Sequence, residues 1–333
     1  MPPDSGWPSS AEPYADAPAR NPRAVHDADW DTIPAEDRHA RMSERLRALL
    51  ERAWREVPTL RRRFEAAGLT PEATRDIADL DRIPIVDRRW LIAQQFDHPP
   101  FGGWLLVPTA QLRAIHLLPG PLRIPEKAEP DYWRWSAALA AAGVEGGSLV
   151  FVERTAREPM APMIETGIAA REALTLSVDP LDASALETVG HWAADAAYIG
   201  TARGLEILLA RITPGVLRTA VLTAGPISRS LEMRARRLQL EILRATGTPE
   251  LGCLAFECRP GSDLHVVADR FVQIVNPESG ESLPDGELGS IVVSRLDDAY
   301  PLLRFATGAR AALSSEPCLC GRTTPRLVRF QET

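Results

Sequence analysis

Between residues 148 and 223, short apolar runs alternate with longer segments of helical spacing, and this alternation most constrains the fold. Ser148–Glu153 reads as a buried strand, with further strands at 174–178, 196–199 and 219–223. The segments 159–174, 182–193, 201–212 and 229–246 read as helices, as does 132–143, which ends at a glycine. Strands separated by helices are parallel and buried on both faces, so the class is α/β with layered subdomains. After residue 260 the pattern changes to short β-like runs at 264–267, 271–275, 289–294 and 302–305. Asn276-Pro-Glu-Ser-Gly280 makes a turn between two of these runs. The expected organisation is a disordered Pro-rich tail over 1–30, an α/β body over 31–260 and a small β subdomain over 261–333. Within the body, Met42, Leu46, Leu49, Leu50, Ala53 and Trp54 predict a first helix that ends at Glu56-Val-Pro58. A short helical stretch is expected around 71–79.

Composition excludes some partners. The chain of 333 residues has a net charge of −7, which disfavours nucleic acid, and no apolar run approaches the roughly 20 residues of a membrane span. The N-terminus lacks a signal pattern, so a cytoplasmic location is expected, and four unevenly spaced cysteines suit a reducing compartment. Of the 38 basic residues only Lys127 is a lysine, so any chemistry that requires an ammonium has one candidate.

Cys258, His265, Cys318 and Cys320 form the clearest constellation. A Cys-x-Cys-Gly turn can place two thiolates on one metal, and Cys258 and His265 can be joined by a short loop. Three soft sulfurs and one imidazole suit Zn²⁺ in a closed, structural, tetrahedral site. The alternative is reduced, partly buried cysteines beside a hydrogen-bonded His265. Cys253 is a spare ligand.

The motifs that follow Thr246 carry a family resemblance. They read Thr246-Gly-Thr-Pro-Glu250, Gly252-Cys-Leu-Ala-Phe-Glu-Cys258, Asp263-Leu-His265 and Asn276-Pro-Glu-Ser-Gly-Glu-Ser-Leu-Pro-Asp-Gly-Glu-Leu-Gly-Ser290. Pro301-Leu-Leu-Arg-Phe-Ala-Thr-Gly308 and Cys318-Leu-Cys-Gly-Arg322 complete the set, and Glu56-Val-Pro58 with Leu80-Asp-Arg-Ile-Pro84 agrees with it. In this order they resemble the phenylacetate–coenzyme A ligase family of the adenylate-forming superfamily. The resemblance implies the N-terminal domain of such a ligase, layered α/β subdomains plus a small β subdomain. The family's mobile C-terminal domain, with its catalytic lysine, is absent from the residues given. A homodimer or a ligase partner is also implied.

Set against that family, the nucleotide-handling positions are replaced. Its phosphate loop is rich in Ser, Thr and Gly and ends in Gly-Lys-Pro. Here the stretch is Ile115-His-Leu-Leu-Pro-Gly-Pro-Leu-Arg-Ile-Pro125, with Ile124 where the lysine belongs. Two prolines remove backbone donors as well. Thr246 stands for an adenine-stacking aromatic residue, Ala309 for a ribose-binding aspartate and Gly225 for the glutamate of a Gly-Glu-Pro motif. Glu250 matches the family's glutamate near Mg²⁺. The resemblance makes His116 and Glu250 candidate catalytic residues. Gly120, Arg123, Lys127, Gly225, Ser228 and Arg304 become candidate pocket residues.

Three functions fit these residues. One is a repurposed or accessory protein that binds an acyl or aryl thioester, such as a coenzyme A ester, or transfers the acyl group without ATP. Another is a non-catalytic subunit of a ligase complex. The third is an ATP- and Mg²⁺-dependent acid–thiol ligase completed in trans.

Overall fold

The strands expected between residues 148 and 223 form a parallel sheet, which a fifth strand extends. The computed structural model describes residues 28–155, 159–182 and 195–332. These divide into a unit of residues 130–267 and a second unit that combines 28–129 with 268–333. A split at residue 260 does not anticipate that grouping. Its cause is long-range bonding of early helices to the segments that connect late strands, such as Arg38 Nη1 to the Thr323 carbonyl at 3.0 Å and Arg52 Nη1 to the Asp298 carbonyl at 2.9 Å.

In the unit of residues 130–267, strands β3 (Leu149–Glu153), β4 (Leu174–Val178), β5 (Ala196–Thr201), β6 (Leu217–Ala224) and β7 (Glu241–Thr248) are parallel, in the order β4-β3-β5-β6-β7. This is the doubly wound 2-1-3-4-5 arrangement. Antiparallel β8 (Gly252–Glu257) and β9 (Leu264–Val266) continue from β7. Val150, Phe151 and Val152 are all fully buried, as a strand covered on both faces requires. Helices α6 (Ala202–Leu209) and α7 (Arg229–Arg237) share one core with the sheet, joining Leu205, Leu208, Leu231 and Ala235 to Phe151, Tyr198, Ala220 and Leu222. Helix α4 (Trp135–Ala141) is buried at every residue, and α5 (Ala161–Ala170) crosses it closely. At the crossing stands Gly167, where an added Cβ would lie 2.8 Å from the Trp135 Cβ.

Glu153 secures the carboxyl end of the sheet. Its carboxylate accepts from the Tyr198 hydroxyl at 2.6 Å and from the backbone N–H of Thr201 at 2.6 Å. Thr201 in turn caps α6 by accepting from Gly204 N–H at 2.9 Å.

One expectation needs correction here. The helix predicted over 229–246 stops at Arg237, because Gln239 adopts a left-handed conformation (φ 55°) and the chain re-enters the sheet as β7. Leu243 and Ala245 are buried there, and this burial outweighs helical spacing. The helix expected over 182–193 and almost all of the tail expected over 1–30 lie outside the described residues. Ala28–Asp31 forms a single helical turn.

In the second unit, α1 (Ala35–Glu56) and α2 (Pro58–Ala66) meet at Val57, as Glu56-Val-Pro58 predicts. The stretch expected around 71–79 is displaced to a 3-10 turn at Ile77–Arg82, since Asp76 is the better cap and accepts from Ala78 N–H at 2.8 Å. Next come α3 (Arg88–Asp97) and a hairpin of β1 (Leu112–Leu118) with β2 (Leu122–Lys127). An antiparallel sheet follows, β10 (Arg270–Val275), β11 (Gly289–Arg295), β12 (Leu302–Ser314) and β13 (Arg326–Gln331), paired in chain order. Strand β12 runs well beyond the predicted 302–305. Among the described residues no helix is long and apolar enough to cross a membrane.

Leu205 is fully buried in the α6–α7 core. Leu205→Ala is expected to cost about 2–5 kcal/mol through lost transfer energy and a residual cavity, read as a lowered denaturant midpoint.

Candidate functional site

The segment that resembles a phosphate loop is a short closed hairpin. Leu118 pairs with Leu122 across Pro119-Gly120-Pro121, and His116 pairs with Ile124. Gly120 has φ 98°, and a Cβ there would come within 2.8 Å of Ile92 Cδ1, so the turn requires glycine. Leu118, Leu122 and Ile124 are buried. Two residues of the α3 segment hold the hairpin. Gln95 accepts from Arg123 N–H at 2.8 Å and donates to its carbonyl at 2.6 Å, and Arg88 Nη2 donates to the Pro119 carbonyl at 3.0 Å.

The hairpin also sets a buried charge cluster. Glu126 is fully buried, accepting from His116 Nε2 at 2.6 Å and from Arg113 Nε at 2.7 Å. A carboxylate there repays its desolvation only through such partners. Lys127 donates to Asp298 at 2.8 Å and lies 3.5 Å from Glu129, and the Asp298 hydrogen bond raises the ammonium pKa. Arg304 is buried at a left-handed position (φ 51°) and donates to the carbonyls of Asp81, Ile83 and Gly280 at 2.7, 2.9 and 2.8 Å. Desolvation lowers its pKa. Ala309 lies in β12.

In the unit of residues 130–267, Gly225 follows β6 with φ 88°. Ser228 caps α7, accepting from Leu231 N–H at 3.1 Å and donating to Glu206 at 2.5 Å. Thr246 lies in β7 opposite Ala255, and Glu250 is buried in the turn between β7 and β8. The expected pocket residues are therefore divided between the two units.

Cys258 follows β8, and fully buried His265 sits on β9 opposite Phe256. Cys318-Leu-Cys320 forms a turn closed by Gly321 N–H to the Cys318 carbonyl at 3.0 Å. Cys258 and His265 lie in the unit of residues 130–267, and Cys318 and Cys320 lie in the other. Three thiolates and one imidazole are a donor set that suits Zn²⁺.

No family model matches the chain. Individual relatives do. A phenylacetate–coenzyme A ligase of Thermus thermophilus is 28% identical over 333 residues, an alignment that covers 91% of this chain and 72% of the relative. The Escherichia coli enzyme of that name is 27% identical over 304 residues, covering 83% and 67%. The chain is thus similar to phenylacetate–coenzyme A ligases over most of its length. Its fold agrees with that likeness. A 2-hydroxyisobutyryl-CoA ligase in the postadenylation state, in complex with R3-HIB-AMP, superposes with a TM-score of 0.80 at 19% identity, covering 97% of this chain and 72% of that one. An open conformation of that ligase, holding 2-HIB-AMP and CoA, gives 0.80 at 20% identity.

Two partners of the ligase-like positions escaped the sequence reading. Glu126 and Asp298 are ordinary acidic residues in sequence. Only the hairpin register, which pairs Glu126 with Ala114, two residues from His116 on the same face, could have pointed to the first. His116→Ala and Glu126→Gln should each cost about 1–3 kcal/mol. The double variant should cost less than the sum by about 0.5–3 kcal/mol, measured as a denaturation cycle.

Proposed function

We propose that this chain is a repurposed or accessory member of the ligase family that binds an acyl or aryl thioester and does not adenylate acids by itself. The observation that carries this reading is the hairpin at 112–127. A triphosphate loop works by offering free backbone N–H groups, hydroxyls and a cation to the phosphates. Here apolar side chains at 118, 122 and 124 turn inward, and Gln95 and Arg88 hold backbone groups of the turn. The cations near these positions are also engaged, Lys127 with Asp298 and Arg304 with backbone carbonyls. Thr246, Gly225 and Ala309 offer no aromatic ring, glutamate or aspartate for a nucleotide. Loss of even one transition-state donor typically costs about 10²–10³ in rate.

Support for a thioester ligand comes from kinship, since curated relatives are named as coenzyme A ligases. His116, which is bonded to Glu126, and buried Glu250 are the residues proposed for any proton transfer that such a ligand needs. Zn²⁺ is proposed at Cys258, His265, Cys318 and Cys320, where it would be structural, because four protein ligands leave no open position.

Calorimetric titration with Mg-ATP, coenzyme A and a few arylacetyl and benzoyl thioesters tests the function. Binding of a thioester without binding of Mg-ATP is expected. Micromolar Mg-ATP binding would revive a ligase completed in trans, and silence from every ligand would favour a structural subunit.

The metal has its own test. Purified protein should contain about one zinc per chain by elemental analysis, and Cys320→Ser should lower both zinc content and the thermal midpoint. A zinc-free protein with an unchanged midpoint in the variant would leave reduced cysteines in place of the site.

A further inference from the structure

Helices α6 and α7 turn one side toward the sheet, and the outward side of α7, with the end of α6 beside Arg211, is basic. Residues 202–240 hold seven arginines and two glutamates in a chain whose net charge is −7. On α7, Leu231 and Ala235 are buried, whereas Arg229, Met233, Arg236 and Arg237 are exposed. Their spacing of i, i+4, i+7 and i+8 lays them along a single stripe about 12 Å long. Arg211, just beyond the end of α6, is exposed as well. Arg211, Arg229 and Arg237 form no ion pair among the described residues. Of the two glutamates, Glu206 is already engaged with Arg203 at 3.6 Å and Ser228 at 2.5 Å.

Arg211, Arg229 and Arg237, exposed and outside any ion pair among the described residues, create a local positive field in an otherwise acidic protein. We propose that the outer face of α6 and α7 is a docking surface for an acidic protein. Met233, 49% exposed, supplies a flexible apolar centre, and the surrounding arginines supply steering and charge-assisted bonds. Nucleic acid is the poorer fit. Residues 202–240 contain no Phe, Tyr or Trp on which a base could stack, and the acidic remainder of the chain repels a long polyanion. This surface is independent of the thioester reading and stands if that reading fails.

The test uses the full chain and a labelled 16-residue helical peptide with glutamates at i, i+4 and i+7 around leucines. Anisotropy at about 50 mM salt should show micromolar binding that weakens about tenfold or more by 300 mM. The triple variant R229E/R236E/R237E, with unchanged circular dichroism, should lose about tenfold or more in affinity, and the milder pair R229Q/R237Q should lose part of it. Equal binding by both variants and the parent would overturn the proposal. So would tighter binding of a 16-nucleotide single-stranded RNA than of the peptide. Salt-dependent self-association in sedimentation velocity, abolished by the triple variant, would assign the surface to a second copy and also overturn it.

Discussion

A parallel strand exposes two faces and must have both covered, and this requirement organises the unit of residues 130–267. β3, β5 and β6 are apolar almost throughout because helices pack above and below them. The same requirement explains why α4 is buried at every position and why its crossing with α5 needs Gly167. Several polar groups gather at the strand ends. Glu153, Thr201 and Gly225 all stand at or just past carboxyl ends of parallel strands, where open α/β sheets place their ligands.

The second unit is held differently, by buried polar side chains that reach distant backbone. Arg304 satisfies three carbonyls from two separate segments, while Gln95 holds both backbone groups of Arg123. Such bonds are strong because burial removes competing water, and their loss would strand the same carbonyls. In the hairpin, packing of Leu118, Leu122 and Ile124 adds apolar burial to these bonds.

Much of this was legible in sequence. The runs at 149–153, 174–178 and 196–199 announced strands, and Glu56-Val-Pro58 announced the break between α1 and α2. Leu238-Gln-Leu-Glu-Ile-Leu243 did not announce β7, because its apolar spacing suits a helix and a strand alike; the open edge of β6 settles it. The β1–β2 hairpin was hidden by Pro119, Pro121 and Pro125, which read locally as a loop. Glu126 and Asp298 were invisible as partners because nothing in sequence measures distance across a hairpin or across some 170 residues.

By itself the sequence determined the α/β class, the family resemblance and the residues proposed as metal ligands, since each rests on residue types in order. It also determined which nucleotide-handling residues differ from that family's pattern. The tertiary structure alone decided that residues 28–129 group with 268–333, that Arg304 serves the backbone, and that the arginines of α7 face outward. The reason is physical: residue order sets local conformation and chemical capacity, but burial and charge neighbours arise from contacts between segments far apart in the chain.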